Sequence, residues 1–213
     1  MKLLIENFRK FLNESVNPKI KQIADGLPDD VVILARKLST GFRFIYVDKT
    51  FNKPLTPESP VWGRVDITNN YKDGGGECLD GWIILTSKTA KGWGPLLYEV
   101  ALEWSSKNGS GLMSDRTVVS KDAEKIWDIY MQRGDVEKKQ LDVFHNDFLN
   151  QLDDIEASDF PQLTPDNIED DCLQIKAIEK GKENWMDTPF AKLYVKGDDS
   201  TIKYLKEMGK FVD

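Results

Sequence analysis

Lys91-Gly92-Trp93-Gly94-Pro95-Leu96-Leu97-Tyr98-Glu99-Val100 separates a strand pattern from a helix pattern, and the order of these parts decides the fold class. Before it, Trp82-Ile83-Ile84-Leu85-Thr86 is short, apolar and rich in β-branched residues, which favours a buried strand over a helix of that length. After it, Pro95 suits the first helical position, where its missing N–H would have had no partner anyway. Leu96, Val100 and Trp104 then recur every four residues with Leu97 and Ala101 beside them, giving one broad apolar face. The spacing predicts a helix running to Lys107-Asn108-Gly109, where asparagine and glycine supply a left-handed cap. A strand, a glycine turn and a helix start place unpaired N–H groups and the positive end of a helix dipole at one point, which suits a phosphate or carboxylate. A tight turn that binds nothing is spelled the same way, so the loop residues alone leave both readings open.

Outward from this unit, strand and helix patterns continue on both sides. Leu4, Phe8, Phe11 and Leu12 sit at helical spacing within residues 1–14, predicting an amphipathic leader helix that Asn17-Pro18 ends. A second helix follows and turns at Gly26-Leu27-Pro28-Asp29. Phe42–Val47 and Val61–Ile67 read as strands, separated by a proline-rich loop over 52–60, and Gly74-Gly75-Gly76 marks a further connection. Downstream, Gly111–Arg116 reads as a short strand into a turn, and Ser120 caps a helix carrying Ile126, Trp127 and Tyr130 that ends near Arg133-Gly134. Residues 135–171 hold twelve acidic residues against Lys138 and Lys139 and read as a solvated surface excursion. Ala191–Val195 looks like a late strand and 201–208 like a last helix. Strands flanking a loop-helix unit predict an α/β or α+β protein, with residues 15–213 as a single domain.

Composition narrows the function classes. Over 213 residues, 40% are apolar and 10% aromatic, enough to bury a core despite 31% charged residues. A net charge of -7 without a long Lys/Arg cluster argues against nucleic-acid binding, although the acidic segment also fits a nucleic-acid mimic or a dock for a basic partner. Cys78 and Cys172 form neither a disulfide scaffold nor a metal-ligand spacing and read as free thiols in a reducing compartment. No 18-residue apolar run predicts a membrane span, and the first residues lack a secretory pattern. The tryptophans 82, 93, 104 and 127 read first as core and second as pocket lining. Tyr130 reads first as packing, Asp115 and Arg116 as a turn pair, and His145 as a partly exposed residue among acids.

The order of parts resembles the acyl-coenzyme A dependent N-acetyltransferases, the GNAT family. Their fingerprint is a strand, Arg/Gln-x-x-Gly-x-Gly/Ala, then a long helix, and the matching window is Thr89-Ala90-Lys91-Gly92-Trp93-Gly94. The block 111–116 followed by 119–136 also looks like GNAT-like proteins of tailed bacteriophages. The resemblance spans about residues 80–136 and implies a GNAT-like central mixed sheet flanked by helices, with the N-terminal helix and an acidic C-terminal elaboration added. It also implies acetyl-CoA held by Leu85, Thr86, Thr89, Lys91, Gly92, Trp93 and Gly94, and Tyr130 as the acid that protonates the departing thiolate. The acceptor would be an amine on a small molecule or protein, with no metal involved. Two departures stand out: Thr89 replaces the usual Arg/Gln, and Pro95 removes an N–H from the helix start, with Lys88 and Lys91 nearby to compensate by charge.

Leu4-Ile5-Glu6 and Leu12-Asn13-Glu14 look like the Leu/Ile-x-Glu sites cut by prohead proteases of large tailed phages. That resemblance implies a leader removed after Glu14 and a protein of the host cytoplasm that is also packaged in the virion. A catalytically silent acetyltransferase-like protein, serving as a virion component or binding a phage capsid or host protein, is the alternative function.

Overall fold

A computed structural model of the chain describes residues 16–50, 55–69, 80–115, 117–141, 176–177 and 185–213. The expected leader helix, the Gly74-Gly75-Gly76 connection, Arg116, His145, both cysteines and the acidic stretch beyond Leu141 lie outside the described residues.

Helix α1 (Pro18–Asp25) starts where Asn17 Oδ1 accepts the Lys19 N–H at 3.0 Å, with proline in its first turn. Strands β1 (Val31–Lys37), β2 (Phe42–Asp48), β3 (Gly63–Thr68) and β4 (Trp82–Thr89) then form an antiparallel meander. Helix α2 (Gly94–Lys107) crosses over to β5 (Leu112–Met113), which runs parallel to β4, as a parallel pair requires. Helix α3 (Lys121–Gln132), β6 (Val136–Gln140), β7 (Lys192–Lys196), α4 (Ser200–Glu207) and β8 (Phe211–Val212) complete the order. The eight strands form one mixed sheet in the order β6-β7-β5-β4-β3-β2-β1-β8. Four α-helices accompany it among the described residues, so the molecule is a mixed α/β protein, as the strand–loop–helix pattern predicts.

Alternation in the strands decides which face is core. Phe44, Tyr46, Val65, Ile67 and Ile84 point to the face on which α2 lies, and Leu96, Leu97, Val100, Ala101 and Leu102 of α2 are fully buried against them. Phe42, Trp82 and Trp104 form an aromatic cluster, the Phe42 and Trp104 centroids 4.2 Å apart. Gly111, immediately before β5, is forced by the close approach of β7, since it has φ +137° and an added Cβ would lie 2.4 Å from the Tyr194 carbonyl oxygen.

Several boundaries differ from the sequence expectations, each for a local reason. Pro95 is the second helical residue because α2 starts at Gly94. Asn108 closes α2 at φ -110°, outside the left-handed region, because its side-chain amide donates to the Trp104 carbonyl at 2.8 Å and does the capping instead. The first residues of the expected acidic excursion are sheet: Val136 to Gln140 pair with β7, and Val136 and Leu141 are buried. The late strand spans Lys192–Lys196 and the last helix Ser200–Glu207, each displaced by one residue from its expected range.

Candidate functional site

β4 and β5 are bridged only at Trp82↔Leu112 and Ile83↔Met113. Beyond Ile83, β4 continues to Thr89 while the chain after Met113 leaves the sheet, so the β5-side edge of β4 is open among the described residues. The departing loop is held in place by Asp115, whose Oδ1 accepts the N–H groups of Thr117 and Val118, each at 2.8 Å, and the Thr117 hydroxyl at 2.9 Å. It leads into α3, where Ser120 Oγ accepts the Ala123 N–H at 3.3 Å as the sequence predicts.

Between the open edge, this loop, α3 and Tyr98 of α2 lies a groove of about 210 Å³. Leu85, Thr86 and Ser87 form its strand wall, Val118 and Val119 its loop wall, and Tyr98 and Trp127 its floor. Leu85 is 41% and Val118 73% exposed, leaving an apolar rim facing solvent. Tyr98 Oη donates to Ser87 Oγ at 2.8 Å. Burial pushes the Tyr98 phenol up, the Ser87 hydrogen bond pulls it back, and the Asp115 carboxylate adds to the rise, so the hydroxyl keeps its proton at neutral pH.

The residues singled out in the sequence fall into separate places. Leu85 and Thr86 line the groove. Gly92 has φ +91° and no atom within 4 Å of an added Cβ, so the loop crest faces open space. The backbone N–H groups of Lys91, Gly92 and Gly94 make no hydrogen bond among the described residues. Lys91 is exposed at this crest. Thr89 is turned inward: its side chain fills the space beside Gly63 and Gly94, where added Cβ atoms would meet it at 2.7 and 3.0 Å. The Trp93 ring packs edge-on against Tyr46, whose hydroxyl donates to the Trp93 carbonyl at 2.8 Å.

Tyr130 is not among the residues lining the groove. It is 2% exposed, enclosed by Trp127, Tyr194 and the Arg133 guanidinium, and its hydroxyl has no hydrogen-bond partner. Burial raises its phenol well above the ordinary range. Ser87 and Tyr98 carry the groove's polar pair, and the sequence reading passes over both. The signal was present in Tyr98, an aromatic residue with a polar tip in the apolar face of α2, but its partner lies across the sheet-helix interface.

No protein-family model matches the chain, and comparison with curated proteins and with solved structures gives no match. Fold and groove therefore define it as a mixed α/β protein with an eight-stranded sheet opened between two parallel strands. Among the described residues, no helix is long and apolar enough to cross a membrane.

Proposed function

We propose that the protein is a GNAT-like N-acyltransferase that takes an acetyl group from acetyl-coenzyme A and passes it to an amine. The observation that carries this reading is the parting of β4 from β5 after two bridged residue pairs, with β4 leading on in sequence to a glycine loop that has unpaired N–H groups. In the family that the sequence resembles, these strands splay to admit the pantetheine arm. The groove fits such a ligand: an open strand edge suits amides, and the crest around Gly92 suits a negatively charged group.

When bound, the coenzyme supplies a thioester, a carbonyl open to attack by an amine and a thiolate able to depart. The β4 edge between Ile84 and Ser87 would hold the arm through its backbone, and the Lys91, Gly92 and Gly94 N–H groups would be available to the pyrophosphate. Tyr98, in the groove and protonated at neutral pH, gives its proton to the departing sulfur through the position that Ser87 fixes. The amine loses its proton to water. This assigns to Tyr98 the role that the resemblance implies for Tyr130.

Binding is the direct test. At a hundredfold excess over Kd, a ligand stabilises by about 2.7 kcal/mol, so acetyl-coenzyme A should raise Tm by about 5–10 °C. No shift together with no calorimetric heat sinks the proposal. The silent alternative draws on Pro95, which has no N–H to offer, and on Thr89, which is packed between glycines. Coenzyme binding without thiol release across a panel of amines and proteins would favour it.

A further inference from the structure

The sheet has a second face, turned away from α2, and its chemistry runs against the acidity of the chain. On β1–β4 the core residues alternate with Arg36, Arg43, Arg64, Asp66, Thr86 and Lys88. Register places Arg36 opposite Arg43, Arg43 opposite Asp66 and Asp66 opposite Thr86, while Ile45, Arg64 and Lys88 form the adjacent row. Directly opposed residues share a face, so four cations meet one carboxylate in a chain whose net charge is -7. Asp66 is already committed, accepting two Arg43 hydrogen bonds at 2.7 Å each and one from Thr86 at 3.4 Å. Arg36, Arg64 and Lys88 have no carboxylate partner among the described residues, Lys88 lying only over the Trp62 ring at 5.8 Å. The Arg64 Nε is buried without an acceptor. Arg36, Thr86 and Lys88 are exposed.

We infer that this face docks an acidic peptide segment of a protein partner, laid across β1–β4 against Arg36, Arg64 and Lys88. Charge complementarity selects the chemistry, and extent selects a peptide over a small anion. Four strands span about 14 Å, which an extended chain crosses in about four or five residues, whereas one phosphate would reach two of the cations at most. Thr86 connects this face to the groove, as it touches Asp66 and lines the groove wall. A segment docked here would bring the rest of its protein to the groove mouth. The docking stands whether or not the groove transfers an acyl group.

The probe is a fluorescent hexa-aspartate peptide followed by anisotropy at low and physiological salt. Wild type should bind it in a salt-sensitive manner, a hexa-lysine control should not bind, and R36E/K88E, both at exposed positions, should weaken binding at least tenfold. R64Q should weaken it several-fold, while K121E, a charge reversal on α3, should change it less than twofold. Absence of binding by the wild type, or equal loss in K121E, overturns the inference. It is also overturned if acetyl-coenzyme A displaces the peptide and R36E/K88E abolishes both, since the cations would then serve the coenzyme phosphates. Retained acetyl-coenzyme A binding in R36E/K88E with the peptide lost supports docking and leaves the groove reading to its own test.

Discussion

Tyr98 and Tyr130 show how little residue type says until burial and partners are known. Both are on helices near Trp127, yet one hydroxyl meets Ser87 in an open groove and the other is sealed without a partner. On the acyltransferase reading proposed above, Y98F should lower turnover about 10²-fold or more with little change in acetyl-coenzyme A affinity, as loss of a general acid does. Y130F should leave turnover unchanged and keep or raise stability, because an unsatisfied buried polar group costs about 1–3 kcal/mol. Thiol-release kinetics with chemical denaturation read both variants, and a turnover defect confined to Y130F would return the acid role to that residue.

At the scale of elements, the architecture is tied together by an ionic chain in its core. Glu99 and Glu103, one turn apart on α2, are buried, and Lys196 of β7 lies between them with Nζ–O distances of 2.9 and 2.5 Å. Arg133, at the end of α3, bonds both Glu99 oxygens at 2.5 and 2.9 Å. Glu103 also accepts the Thr201 and Ile202 N–H groups at 2.9 and 2.8 Å, capping α4 from another helix. One carboxylate thus joins α2, β7 and α4. E103A leaves a buried ammonium underpaired and two helix N–H groups bare, so urea unfolding should show a loss of about 3–5 kcal/mol. The sequence shows these two glutamates only as polar breaks in an apolar helix, since their partners lie 34 to 99 residues away. The same non-locality hides β6, whose Glu137, Lys138 and Lys139 read as surface until β7 pairs with them. By contrast, β4, α2 and α3 were legible because periodicity, Pro95 and the Ser120 cap are local signals. The glycine loop was legible for that reason too, while the groove along β4 depends on where β5 stops.

For the molecule as a whole, pH acts on stability through charges of opposite behaviour. A hydrogen bond from Arg133 holds the Asp135 carboxyl below its ordinary value of 3.8. Its contribution is therefore present above that ordinary value and lost as pH falls through the lower folded value. Burial raises Glu103 instead, with Lys196 opposing, so ionising this carboxyl offsets part of what its contacts contribute as pH rises from the ordinary 4.5 through the raised folded value. D135N should consequently destabilise at pH 5–7 but match the wild type once pH lies below the folded Asp135 value. Urea midpoints across pH 2–7 would show this convergence, and a constant offset at every pH would refute the assignment.

The short strand β8 also has a bearing on synthesis. Phe211 and Val212 pair with Ile33 and Leu34 at the outermost edge of the sheet. During translation this edge of β1 therefore waits uncovered until Phe211 and Val212, about 180 residues further on, have left the ribosome. An uncovered edge is a template for pairing with a neighbouring nascent chain. The interval between the synthesis of β1 and that of β8 is thus a period of exposure to misassembly on a crowded polysome.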